Sequence, residues 1–298
     1  LFLRPGRLAL PDIFIYLYFM SIRVALLDLN NGLPNQGMRC IREIVRNWSS
    51  QNQYPLVMDE FDVRQQLQVP DTSYDIYISS GGPGSPLESE GSEWENRYFN
   101  WISSIEQWNA SPEGFPRKNV FFICHSFQLA CRYFRVATVK SRMSTAFGVF
   151  PVHMTDGGLI EPVFDGLKDP FYAVDSRDYQ VTEPDETVLH EAGATILAIE
   201  KERPHVPLER AVMAIRFNDY MIGTQFHPEA DAHGMRIHLM TDDKKQTVIE
   251  NHGLEKWQSM VDQLPDPDKI LWTYSHILPN FLNSSVAQLV AHKDAQIN

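Results

Sequence analysis

Cys124 closes the apolar, β-prone run Asn119-Val120-Phe121-Phe122-Ile123, and a helix-like pattern, His125-Ser126-Phe127-Gln128-Leu129-Ala130, begins directly after it. A strand that turns sharply into a helix exposes the residue at the bend. The first N–H groups and positive end of that helix favour a thiolate there. On its own, a cysteine after a strand is more often a small buried apolar residue. Two further segments supply what a nucleophile needs. Ser79-Ser80-Gly81-Gly82-Pro83-Gly84 follows the strand-like Tyr74-Asp75-Ile76-Tyr77-Ile78. Glycines let backbone approach a ligand closely, and N–H groups at such a turn can form half of an oxyanion hole. Another β-like run, Tyr220 to Phe226, delivers His227 and then Glu229, with Pro228 stiffening the link. A nucleophilic cysteine needs a base, and the base needs an acceptor to orient it. Singly, each segment has a plain structural reading: most Gly/Pro clusters are turns, and a lone histidine near a strand end is commonly structural.

The elements that must position these residues alternate. Ile22 to Leu29 is near-continuously apolar, as buried parallel strands are. Met38, Ile41, Ile44, Val45 and Trp48 recur at helical spacing. Leu56 to Phe61 and Asp75 to Ser79 read as further strands. Trp94, Tyr98, Trp101, Ile102, Ile105 and Trp108 fall on one face of a helix, most simply a face packed on the sheet. Alternation of this kind predicts an α/β fold, a mostly parallel central sheet with flanking helices. Functional loops in such sheets lie at the carboxyl ends of the strands, where the Gly81 loop and Cys124 both sit. Thr145 to Val152, Phe171 to Asp175 and Thr195 to Ile199 read as shorter strands. Ala211 to Phe217 and Tyr220 to Phe226 form a hairpin. Leu254 to Leu264 marks a helix stopped by Pro265 and Pro267, and a further run covers Ile270 to Phe281. Residues 283–298 are polar and Ala-rich, and are expected to be frayed or loosely docked.

The net charge of −12 argues against nucleic-acid or anionic-membrane partners, which need a basic face. Cys40, Cys124 and Cys131 are too few and odd in number for a disulfide framework, which fits a reducing, cytoplasmic setting. No zinc-type Cys/His spacing occurs, and no metal or cofactor is expected. Residues 1–19 contain a short apolar stretch interrupted by Asp12, which fits neither a membrane span nor a cleavable signal. They are expected to be an extension ahead of a natural start at Met20. The remaining division expected is a main domain over 20–235 and a helical extension over 236–298.

Gly81-Gly82-Pro83, Cys124 with Gln128 four residues on, and Gln225-Phe226-His227-Pro228-Glu229 occur in an order that resembles the class I glutamine amidotransferases, from about Arg23 to Ala230. The resemblance implies a flavodoxin-like three-layer architecture and amide hydrolysis through a thioester. Cys124 would attack the side-chain carboxamide of glutamine, His227 would serve as acid and base, and Glu229 would orient His227. The N–H groups of Gly82 and His125 would hold the oxyanion. Gly81 and Gln128 would lie against the substrate. Ser176 and Arg177 occupy the region of a family Ser-His-x-Asp element that contacts the substrate backbone, with Arg177 in the histidine position. The family elbow usually reads Gly-x-Cys-x-Gly-x-Gln. Here Phe122 and Ser126 replace both glycines, which predicts a more strained bend.

The resemblance implies glutamine or a γ-glutamyl small molecule as substrate, and either a separate ammonia-accepting synthetase subunit or a stand-alone amidohydrolase; a homo-oligomer is also an expected partner state. No nucleotide-binding loop is present, and the roughly 65 residues after Asp231 are too few for a fused synthetase domain. Two other readings stand beside this one: acyl transfer of the homoserine acyltransferase type, and a catalytically weak binding or regulatory subunit on the same scaffold.

Overall fold

The computed structural model describes residues 21–204, 208–262, 264, 266 and 269–297. Residues 1–19, Met20 and the two stop residues Pro265 and Pro267 lie outside the described residues. Nine strands, β1 (Ile22–Asp28), β2 (Leu56–Asp62), β3 (Ile76–Ser79), β4 (Asn119–Ile123), β5 (Ala137–Met154), β6 (Phe171–Pro184), β7 (Thr195–Glu200), β8 (Val212–Asn218) and β9 (Met221–Thr224), form one sheet in the order β2-β1-β3-β4-β9-β8-β7-β5-β6. From β2 to β9 every pairing is parallel; from β9 to β6 every pairing is antiparallel. The parallel half carries both loops singled out above, at the carboxyl ends of β3 and β4.

Period-two alternation along β1 sends successive side chains to opposite faces. Val24 and Leu26 join Ile41 and Val45 of helix α1 (Gln36–Asn52) and Leu278 and Phe281 of the C-terminal helix in one core. Ala25 and Leu27 join Tyr98, Trp101 and Ile102 of α2 (Glu93–Ala110) and Leu129 of α3 (His125–Phe134) in the other. Most of the aromatic stripe of α2 is therefore sheet packing. Besides the short turns Asp156–Leu159 and Pro162–Phe164, the described residues form helices α4 (Glu186–Ala192), α5 (Ala232–Leu239), α6 (Asp242–His252), α7 (Leu254–Asp262) and α8 (Ile270–Ile297). A third core packs Phe147 of β5 and Val174 of β6 under Met235 and Leu239 of α5 and Trp257 and Met260 of α7.

Three elements differ from the sequence expectation. β5 and β6 are far longer than their apolar stretches, because polar residues such as Lys140 and Gln180 continue the ladder on an exposed face, past an irregularity between Ser141 and Ala146. Residues 283–289 of the tail are docked rather than loose: α8 runs through them, Val286 and Leu289 are buried, and Trp48 Nε1 donates to Asn283 Oδ1 at 2.8 Å. Among the described residues no helix is long and apolar enough to cross a membrane.

Candidate active site

The chain turns from β4 into α3 through Cys124, whose backbone lies at φ 51° and ψ −99°. A non-glycine residue held there is strained and persists only where its surroundings over-determine it. Ser126 does much of this. Its hydroxyl accepts from Ile123 N–H at 2.7 Å and lies 2.8 Å from the Ser79 carbonyl, to which it donates. One side chain thus ties the elbow to the end of β3, from which the Gly81 loop departs. The Cys124 N–H donates to the Thr224 carbonyl of β9 at 2.7 Å, anchoring the bend from the other side. Serine at this position is a brace rather than a source of strain. Ser126→Ala is expected to remove the hydroxyl's bonds to the Ile123 N–H and the Ser79 carbonyl and to lower unfolding free energy by about 1–3 kcal/mol, read from urea denaturation.

Phe122, the other departure from the family elbow, is fully buried and stacks edge-on to Trp101 and Phe217, with centroids 6.5 and 6.0 Å away. Its partner in the register of β9 is Gly223. A Cβ on Gly223 would stand 3.1 Å from Phe122 Cβ and 2.8 Å from Phe127 Cδ2. The volume gained at Phe122 is accommodated by a glycine on the next strand.

All nine residues singled out in the sequence line one cleft of about 600 Å³: Gly81, Gly82, Cys124, His125, Gln128 and Ser176, with Arg177, His227 and Glu229. After β9 the chain makes an isolated antiparallel bridge from His227 to Val174, the His227 N–H donating to the Val174 carbonyl at 2.8 Å. This bridge carries β6 to the elbow, where the Ser176 carbonyl oxygen lies 3.7 Å from Cys124 Sγ. His227 Nδ1 is 2.9 Å from Glu229 Oε1. Gly81 carries no Cβ because one would stand 2.9 Å from His227 Cε1 and 3.5 Å from Cys124 Cβ; Gly82 is pressed against the Leu29 carbonyl, 2.4 Å from where its Cβ would be. Among the described residues neither the Gly82 N–H nor the His125 N–H has a partner within the chain, and the latter is one of the unpaired donors at the start of α3.

Burial works against a charged His227, but the Glu229 carboxylate and the Cys124 sulfur outweigh it and hold the imidazole well above its ordinary value. The stability this pairing contributes is present in full below pH 6.5 and is lost as the pH climbs through the raised value. His125 behaves oppositely. Burial, reinforced by nearby Arg64 and Arg132, lowers it to about 3, so its ring is neutral and does not compete with His227 as a base. Between pH 6.5 and about 3 the unfolded chain takes a proton at His125 that the folded chain refuses, so folding weakens as pH falls through that window. In His125→Gln, the melting temperature is expected to fall less between pH 6.5 and 4 than in the wild type; equal slopes would contradict this account.

Arg177 lines the cleft, but its guanidinium is buried and turned to carboxylates of the chain. Its Nε donates to both oxygens of Asp175 at 2.9 and 3.0 Å, and its Nη2 approaches Glu200 at 3.4 Å. A forked contact needs two free nitrogens on one edge, and only Nη1 is without a partner. Burial raises Cys40 to about 12 and drives Cys131 well above the usual thiol range, so both are thiols at neutral pH.

Three features escaped the sequence reading. The brace of Ser126 was hidden by its absence from the family elbow. The start of α1, capped by Asn35, abuts Glu229, since a Cβ on Gly37 would lie 3.0 Å from Glu229 Oε1; its positive end stands beside that carboxylate. The Gln225 side chain reaches the cysteine, with Nε2 at 3.7 Å from Cys124 Sγ.

No curated protein sequence matches this chain. Its fold recurs in solved structures at low identity. A glutamine amidotransferase from Thermotoga maritima is 15% identical, covering 90% of this chain and 99% of its own, with a TM-score of 0.64. A glutamine amido transferase from Methylobacillus flagellatus is 14% identical over 89% of this chain and 94% of its own, with a TM-score of 0.56. The glutaminase domain of Trypanosoma brucei CTPS, solved with bound acivicin, is 13% identical over 90% and 94%, also at 0.56. Likeness at these identities speaks for the shared fold alone. The family model of the class-I glutamine amidotransferases matches residues 36–247, a span that runs from the start of α1 into α6 and takes in the elbow, the glycine loop and the His227 turn. That match over most of the chain makes it a member of the class I glutamine amidotransferase family.

Proposed function

We propose that the protein hydrolyses the side-chain amide of glutamine, or of a related γ-glutamyl compound, through a thioester on Cys124. The thiol proton passes to His227, and the sulfur attacks the amide carbon. The oxyanion faces the N–H groups of Gly82 and His125. His227 then protonates the departing amine, which leaves as the C–N bond breaks. A water deprotonated by His227 attacks the thioester, and glutamate departs as the thiol is restored. Glu229 fixes the imidazole orientation and supports its charge. Gln128 and the backbone at Gly81 and Ser176 lie against the substrate.

The observation that carries this reading is the pairing of His227 Nδ1 with Glu229 Oε1 at 2.9 Å in the cleft that holds Cys124. The reading of the chain as a binding subunit drew on Phe122 and Ser126, and the packing and hydrogen bonds of both supply what a working elbow needs. The cleft volume lies in the range of small-molecule sites, which admits leaving amines larger than ammonia. Where ammonia is the product, a separate synthetase subunit in the same reducing, cytoplasmic compartment is the proposed acceptor.

The test is glutamate release from glutamine and from a panel of γ-glutamyl amides. Release that depends on Cys124 supports the reading. Its absence from every compound, with and without a candidate acceptor enzyme, would sink it.

A further inference from the structure

Gln225 has no part in the reaction just described, yet its fully buried side chain touches the reacting sulfur. A buried carboxamide can offer that sulfur either its nitrogen or its oxygen, with opposite consequences. The choice is fixed from a distance. The Tyr179 main-chain carbonyl can only accept, so the atom of Gln128 facing it at 3.3 Å is Nε2. The same nitrogen faces Gln225 at 3.0 Å, and the atom it meets must be an acceptor, Oε1. Gln225 Nε2 is therefore the atom turned to Cys124 Sγ, at 3.7 Å. Reversing the Gln225 amide would set two nitrogens against each other and an oxygen against the sulfur.

We propose that Gln225 donates a hydrogen bond to the Cys124 thiolate, held in that orientation by Gln128. The inference rests on reading Cys124 as the nucleophile. The sulfur then lies between a donor that favours the thiolate, Gln225, and an acceptor that favours the thiol, the Ser176 carbonyl oxygen at 3.7 Å. The other charged or titratable groups around it are accounted for: His227 is backed by Glu229, the His125 ring is neutral, and Arg177 is turned to Asp175 and Glu200. A donor at this position acts twice. It stabilises the thiolate before attack, and again when the sulfur leaves as the thioester is hydrolysed. Gln128 becomes a positioning residue for this contact as well as a wall of the cleft.

The experiment is the rate of iodoacetamide alkylation of Cys124 against pH in the unliganded protein, read by mass spectrometry, with melting temperatures as the control for folding. The thiolate displaces iodide, so the profile reports thiolate without any substrate. In Gln225→Leu the inflection is expected to rise by about one pH unit, with the rate at pH values below both inflections falling about tenfold. Gln225→Glu, which replaces the donor with a carboxylate, is expected to raise it further. Gln128→Leu, which frees the Gln225 amide to rotate, raises it by less, and it serves alone should the Gln225 variants fail to fold. Folded variants with the wild-type inflection, or a lower one, would overturn the proposal. A wild type that alkylates at low pH but releases no glutamate removes the hydrolase reading and leaves this one standing.

Discussion

Cys124→Ala is expected to release no measurable glutamate, a loss of at least about 10⁴-fold in kcat, while melting within a degree or two of the wild type. Removing a nucleophile from a cooperating set costs nearly the whole of the set's contribution. The fold is spared for a local reason. Alanine keeps the same Cβ at φ 51°, so the strain of the bend is unchanged, and the bonds that hold it run through the Cys124 N–H and the Ser126 hydroxyl. The sulfur's long contacts to Gln225 and the Ser176 carbonyl, both at 3.7 Å, are lost together with its attraction for the His227 imidazole. A variant that retains glutamate release would remove Cys124 from the reaction. One that unfolds would show the sulfur to be structural.

Gly223→Val is expected to be the most damaging single substitution to stability outside the polar site, by about 3 kcal/mol or more. A Cβ alone would come within 2.8 Å of Phe127 Cδ2 and 3.1 Å of both Phe122 Cβ and the Phe122 carbonyl oxygen, and valine adds two methyl groups to that crowding. Overpacking in a filled core typically costs 1–3 kcal/mol, and here the neighbours include backbone that cannot rotate away. The site moves with it, because Phe122 lies two residues before the nucleophile. A double-mutant cycle with Phe122→Gly, the residue the family elbow usually carries, is expected to show a favourable coupling of about 1 kcal/mol or more between the two positions. Additive effects would mean that Phe122 and Gly223 do not share the volume. Chemical denaturation of the four proteins measures this directly.

In the parallel half of the sheet β1, β3 and β4 were legible because they are apolar on both faces and each ends in a recognisable loop. Cys124, His227 and Glu229 were legible for the same reason, since each directly follows a readable strand. The antiparallel half was only partly legible. Lys140, Ser141 and Arg142 carry no apolar alternation, and the ladder there is held by backbone pairing that side-chain types do not announce. The docking of α8 past Leu282 was obscured by a polar stretch in which, among residues 283–289, Val286 and Leu289 are the apolar side chains buried in the core, while Ser285 donates to the Phe281 carbonyl at 2.8 Å. The bonding of Arg177 was not legible, because the carboxylate it meets is its own neighbour, Asp175, two residues back on the same face of β6. The replacements at Phe122 and Ser126 looked costly one residue at a time. Their compensation lies at Gly223 and at the Ser79 carbonyl, on strands distant in sequence and adjacent in the sheet.

The central claim is that Cys124 is a nucleophile directed at glutamine-like amides. Incubation with a diazo-ketone analogue of glutamine, followed by peptide mass spectrometry, tests it most directly. The account predicts a single adduct on Cys124 and none on Cys40 or Cys131, formed more slowly in the presence of excess glutamine or a γ-glutamyl amide. An unmodified Cys124, or modification that no γ-glutamyl compound slows, would contradict it.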